Sequence, residues 1–162
     1  MSVSYTVLPE YQLHYARYFG HHHTVHTSQL LADYRRDPLI HRGLRSVLDL
    51  KRIQIAPLDQ DLRRRQMEDL YAMFHEPGTI WCVTYYCPTE ISRGLTSMQQ
   101  KMWEARPDVD FLVAEDIRDV AEKLDVGEAI IRALIKHETR LPVPHRRTEK
   151  GRPKATPKSL IR

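Results

Sequence analysis

Little in this chain is reactive or structurally special. Two cysteines in 162 residues supply no disulfide framework. Cys82 and Cys87 stand at an odd offset, and alternation along one strand sends such side chains to opposite faces, so no bond between them is expected. Glycine numbers six and is scattered, and no G-x-G-x-x-G, Walker loop or G-x-S-x-G is present. Dinucleotide binding, P-loop chemistry and serine hydrolysis are therefore not expected, and neither is a cofactor. No apolar run approaches the length that crosses a bilayer, which argues against membrane insertion. The opening MSVSYTVLPEY lacks a basic region followed by an apolar block, so no secretory signal is read. With so few cysteines, a reducing cytoplasm is the expected location.

What is present suits a globular domain: 41% apolar and 28% charged residues, in a length that buries a sizeable core. The net charge of +4 hides an asymmetry. Residues 140–162 hold eight Lys/Arg against one acid, a net of +7, and residues 1–139 hold 17 bases against 20 acids, a net of −3. The chain thus divides into a domain over 1–139 and a basic tail over 140–162, rich in proline and without apolar periodicity, which is expected to be disordered alone.

The fold class is most legible in TIWCVTYYCPTEISRGLTSMQQKMWEA, residues 79–105. Ile80, Trp81, Val83, Tyr85 and Tyr86 are strand-prone, Pro88 stops the strand, and Thr89 is placed to cap a helix. Ile91, Leu95, Met98 and Met102 recur at helical spacing and predict one long helix with that apolar face. Upstream, residues 4–8 and 11–19 read as strands around a Pro9-Glu10 turn. Leu13, Tyr15 and Arg17 face one way in the second, and Gln12, His14, Ala16 and Tyr18 the other. Thr24 reads as the cap of a helix reaching Arg36, and Leu44–Leu50 as a strand followed by a loop over Lys51–Pro57. Asp59 or Asp61 caps a helix with Met67, Leu70, Tyr71 and Phe74 inward, and its outer face offers Arg64–Glu68 and Arg65–Asp69 pairs. A last strand, Val109–Ala114, precedes a helix with Ile117, Val120, Ala121 and Leu124 inward. Asp125 and Glu128 read as a capping pair for a short extra helix over 127–138. Strands alternating with helices predict an α/β fold: a mixed, largely parallel sheet of about five strands with helices packed on it and an antiparallel edge.

Four segments together resemble the STAS-like, anti-sigma-factor-antagonist-like family over roughly residues 5–126. They are the Gly20-to-Thr24 turn with its helix ending at Asp37-Pro38, the strand VLDL at 47–50, the corner Pro88-Thr89-Glu90-Ile91-Ser92-Arg93-Gly94-Leu95, and VDFLVAEDIRDVAEKLDV. The resemblance implies a non-catalytic regulatory or interaction domain that binds a protein partner or a second copy of itself. Regulated members carry a phosphorylatable Ser or Thr after the VLDL-like strand. The loop here, KRIQIAPLDQD, has neither, so that switch is not expected.

Candidate sites follow from residue chemistry. His21, His22, His23 and His26 are the only grouping that suggests a metal, but three consecutive side chains diverge and no Cys or Asp follows at ligand spacing, so a solvated polar corner is expected. Cys87 sits at a helix start, which would lower a thiol pKa, although no base or oxyanion site is readable nearby. Cys87, Thr89, Gly94 and Met98 are candidate contacts for a partner or ligand. Gly94 costs about 1 kcal/mol within a helix, and a close approach by another backbone or a ligand would account for it. An alternative function lies in the tail. Lys150-Gly151-Arg152-Pro153-Lys154, with Arg146 and Arg147 before it, resembles an AT-hook core, in which Gly fits and Arg seeks a narrow A·T-rich minor groove. Residues 117–136 also resemble a helix-turn-helix pair, with Asp125 where glycine is usual. Nucleic acid is therefore the second candidate partner.

Overall fold

A computed structural model describes residues 2–55 and 59–136. The chain forms β1 (Val3–Leu8), a 3-10 turn (Pro9–Tyr11), β2 (Leu13–His21), α1 (Thr24–Arg36), β3 (Arg45–Ile55), α2 (Gln60–Phe74) and β4 (Trp81–Tyr86). Then come α3 (Glu90–Leu95), α4 (Ser97–Glu104), β5 (Val109–Ala114), α5 (Ile117–Leu124) and α6 (Glu128–Lys136). The five strands form one sheet in sequence order. β1 pairs antiparallel with β2, and β2 to β5 are parallel. The α/β class and the antiparallel edge agree with the alternation of periodicities.

Each crossover from β2 to β5 moves one strand in the same direction. Right-handed crossovers in one direction put their helices on one face of the sheet. Leu30, Leu31 and Tyr34 of α1, Met67, Leu70 and Phe74 of α2 and Trp103 of α4 accordingly share a core with Ala16, Leu48, Val83 and Tyr85. The other face is left to the end of the chain. There Val120 and Leu124 of α5 and Ile131, Leu134 and Ile135 of α6 cover Leu13, Tyr15, Val47 and Tyr86. Cys82 packs with the second core and Cys87 with the first, as their odd offset requires.

The second layer is fastened by arginines. Arg45 donates to the carbonyls of Leu124 and Tyr11. Arg17 donates to Leu134 O at 2.6 Å and Arg52 to Ile135 O at 2.7 Å. The carbonyls of Leu124, Leu134 and Ile135 belong to the last turns of α5 and α6, where unpaired acceptors and the negative end of the helix dipole attract cations, and that of Tyr11 to the 3-10 turn. Beneath α6, the buried Asp49 accepts from Tyr15 Oη and lies 3.7 Å from Arg52 Nη1. Burial pushes the Asp49 carboxyl above its ordinary range, offset in part by its bond from Tyr15.

Several local expectations are corrected. β3 does not stop at Leu50 but continues to Ile55, pairing Arg52 with Phe19 and Ile53 with Gly20. Its charged residues disguised the strand; Arg52 tolerates the position because its guanidinium bridges Asp49 and α6. The long helix is broken at Thr96, whose hydroxyl donates to Arg93 O at 2.8 Å and competes with the helical pattern. The buried stripe is therefore Ser92, Thr96, Gln99 and Trp103, one residue along from the one expected, and Ile91 is 53% exposed. His23, rather than Thr24, stands at the α1 N-cap. Asp125 is not a cap for α6 but the left-handed C-cap of α5 (φ 51°), with Val126 N donating to Ala121 O at 3.0 Å. Glu68 pairs with Arg106 and Asp69 with Arg35, so these two carboxylates reach beyond α2, and Arg64 pairs with Asp61 one turn earlier instead of Glu68. Asp59 does cap α2, accepting from Leu62 N at 2.9 Å.

Arg45→Met leaves two carbonyls without their charged donor, and is expected to cost about 2 kcal/mol in urea unfolding. Amide exchange should rise most in α5 and α6; equal loss of protection across the sheet would contradict the clamp.

Candidate functional site

The N-terminal turns of α1, α2 and α3 all lie at the carboxyl edge of the parallel strands, where ligands of open α/β sheets bind. At that edge the inward stripe of each helix turns polar. In α1, Thr27 precedes Leu30, Leu31 and Tyr34. In α2, Arg63 and Gln66 precede Met67, Leu70 and Phe74. In α3–α4, Ser92, Thr96 and Gln99 precede Trp103. The opposite ends of the same helices carry aromatics, with Phe74 stacked on Trp81 and Trp81 edge-on to Trp103. One end of this core is thus mainly aromatic, with the buried His14 and Ser46 among the rings, and the other is lined with hydrogen-bonding groups from three helices.

The polar end encloses a cavity of about 40 Å³. Tyr18, Arg63, Gln66, Tyr85 and Gln99 supply its polar wall, and Leu48, Leu50 and Leu95 belong to its apolar wall. Gln99, with its amide oxygen toward Arg63, accepts from Nη2 at 2.6 Å and Nε at 3.0 Å, while its nitrogen donates to Leu95 O at 2.9 Å. Gln66 Nε2 donates to Thr24 O at 2.8 Å and Ser28 Oγ at 3.0 Å. The Oε1 of the same residue is buried without a hydrogen-bond partner. Tyr85 Oη accepts from Trp103 Nε1 at 2.9 Å. Burial pushes the Tyr18 and Tyr85 phenols upward, so both hydroxyls keep their protons. The lining contains one cation and no carboxylate.

The histidine corner is only partly solvated, a correction to the expectation. His21 and His23 are exposed, but His22 is buried and lines the cavity. Its Nδ1 is hydrogen-bonded to Ser2 Oγ at 2.6 Å and its Nε2 to Thr27 Oγ1 at 2.7 Å, and Ser2 Oγ also meets His26 Nδ1 at 2.7 Å. Burial, then the Arg63 charge, hold His22 down to about 4. A second buried histidine, His14, bonds Tyr34 Oη at 2.6 Å, and burial holds it down to about 3. Among the described residues no group of three or more His, Cys, Asp or Glu side chains converges to hold a metal.

The other candidates sit beside the cavity rather than around it. Cys87 is fully buried, and burial pushes its thiol up to about 12, against the expectation that the helix start would lower it. Thr89 forms a capping box with Ser92. Gly94 is exposed, and a Cβ there would meet nothing within 4 Å, so no close approach by another part of the chain explains it. Met98 packs partly against the first core. The tail candidates Arg146, Arg147, Lys150, Gly151, Arg152, Pro153 and Lys154 lie outside the described residues. Sequence reasoning passed over Arg63, Gln66 and Gln99. Their signal was their position on helical stripes that periodicity assigns to the core.

No protein-family model matches the chain, and no curated protein matches its sequence.

His22 links stability to pH. Its folded pKa of about 4 lies below the ordinary 6.5, so between those values the unfolded chain binds the extra proton. Stability is therefore complete above pH 6.5 and falls as pH drops toward 4, by roughly 2 kcal/mol from this group. His14 acts in the same direction. Urea midpoints measured from pH 7 to 4 should fall in the wild type and fall less in His22→Gln.

Proposed function

We propose that this chain is a non-catalytic interaction domain of the STAS-like kind, residing in the cytoplasm and binding a protein partner or a second copy of itself. The observation that supports this reading is the engagement of its reactive side chains. His14 and His22 are buried, hydrogen-bonded and held neutral, and Cys87 is buried with its thiol pushed up to about 12. A nucleophile or general base needs the opposite: access, and a pKa near the working pH. At the same edge of the sheet, aliphatic side chains face outward instead. Val25, in the first turn of α1, is 55% exposed, and Ile91, in the first turn of α3, is 53% exposed. Thr89 and Ser92 hold the α3 turn through reciprocal bonds, which limits the ordering cost of docking there.

Ile91→Asp, combined with Val25→Asp, is expected to leave thermal unfolding unchanged and to weaken association about tenfold or more. Sedimentation equilibrium reads self-association, and capture with the intact chain as bait reads a partner. If both are the same for wild type and variant, the surface reading fails.

A second reading, a DNA-associated regulator, is favoured by the +7 net charge of residues 140–162. The tail would carry it alone, because the apolar faces of α5 and α6 are buried on the sheet and the outward Arg132 pairs with Glu128. Salt-dependent binding to an A·T-rich duplex, lost on deleting 140–162, is the expected outcome of that reading. An intact chain that shows no such binding removes it.

A further inference from the structure

The cavity at the carboxyl edge combines three features. Its only charged lining residue is Arg63, and among the described residues no carboxylate pairs with that guanidinium. The fork of Arg63 meets a neutral amide oxygen, that of Gln99, which leaves the charge uncompensated. Arg63 is half-buried, and a guanidinium drawn partly out of water without a carboxylate beside it favours an anionic partner. Three positions along the same face of α2, Gln66 lines the cavity and is 4% exposed; its Nε2 is held by α1, and its Oε1 is buried without a hydrogen-bond partner. A buried acceptor of this kind calls for a donor. Tyr18, His22, Thr27 and Tyr85 add further polar groups to the wall, and Leu48, Leu50 and Leu95 give it an aliphatic side.

We propose that this cavity binds a small carboxylate that also carries a neutral hydroxyl donor, a compound of the glycolate class. The carboxylate compensates Arg63, and the donor satisfies Gln66 Oε1. The short carbon chain lies against the leucines. The volume of about 40 Å³ exceeds the share of one water and limits the occupant to a few non-hydrogen atoms. Plain acetate supplies the charge but not the donor, so it should bind more weakly. The partner surface is a separate matter, because neither Val25 nor Ile91 lines the cavity.

The test is calorimetric titration of the full chain with glycolate, glycine and acetate, with amide chemical shifts locating the site. The wild type is expected to bind glycolate saturably, about tenfold more tightly than acetate, and zwitterionic glycine more weakly than glycolate. Gln66→Met should erase that preference while acetate still binds. Gln66→Glu places a carboxylate beside Arg63 and should expel every anion. Arg63→Met should weaken all three ligands about tenfold or more. The proposal is overturned if the wild type binds none of them saturably, which would leave the cavity to water. It is also overturned if binding survives both Arg63→Met and Gln66→Glu, or if the shifts lie away from Tyr18, Thr27 and Gln99. Val25→Asp/Ile91→Asp should bind the same ligands at wild-type affinity, so failure of the surface reading and failure of the cavity are told apart.

Discussion

The structure depends on a single topological constraint: every parallel crossover steps the same way. A sheet wound in sequence order must stack its crossover helices on one side, because the right-handed connection leaves no other arrangement. Two consequences follow. Three helix N-terminal turns converge at one edge, above the carboxyl ends of β2, β3 and β4. The far face of the sheet, rich in Leu13, Tyr15, Val47 and Tyr86, has no crossover to cover it. The first consequence creates a place for a ligand; the second demands an extra layer.

That extra layer explains why the chain does not end at β5. α5 and α6 are short, and helices of this length are marginal unless packed. Their apolar faces are buried on the sheet, and Arg17, Arg45 and Arg52 hold their last carbonyls. All three arginines come from strands, so the sheet itself supplies the cations for the helix ends. Arg52 also offsets Asp49, and Tyr15 donates to the same carboxylate. Such a buried network stabilises only when its members are satisfied together. The resemblance of 117–136 to a helix-turn-helix pair comes from the same apolar spacing, serving here to cover a sheet.

Legibility in the sequence followed the strength of each periodic signal. The order of elements, the faces of β2 and the inward stripe of α2 were readable because apolar residues mark them without competition. Where polar side chains occupy buried positions, the pattern misleads. Lys51 and Arg52 disguised the end of β3, and Ser92, Thr96 and Gln99 disguised the buried side of α3–α4, leaving Leu95, Met98 and Met102 as the apparent core. The break at Thr96 is a local competition between a hydroxyl and the helix pattern, which apolar spacing does not report. His22 was misread because its partners, Ser2 and Thr27, are brought to it by the fold: Ser2 lies 20 residues away in sequence.

These misreadings share one cause, and it bears on function. Periodicity treats a polar residue on a core stripe as an interruption, yet the misplaced groups gather at one edge. Thr27, Arg63, Gln66 and Gln99 come from three helices and meet around one cavity. Burying Thr27, Gln66 and Gln99 costs free energy that leucine or methionine at the same positions would not, since volume-matched apolar packing is usually as stable or more so. At the other end of the same helices the choice is Tyr34, Phe74 and Trp103, so the fold readily accommodates apolar side chains along these stripes. Packing alone gives no reason for a guanidinium and two amides at one end, when the polar groups among the rings at the other, His14, Ser46 and Tyr34 Oη, hydrogen-bond one another. A guanidinium without a counter-charge and an amide oxygen without a donor are what that end of the core has in place of apolar contacts. Both deficits are met by one occupant that is anionic at one end and a donor at the other.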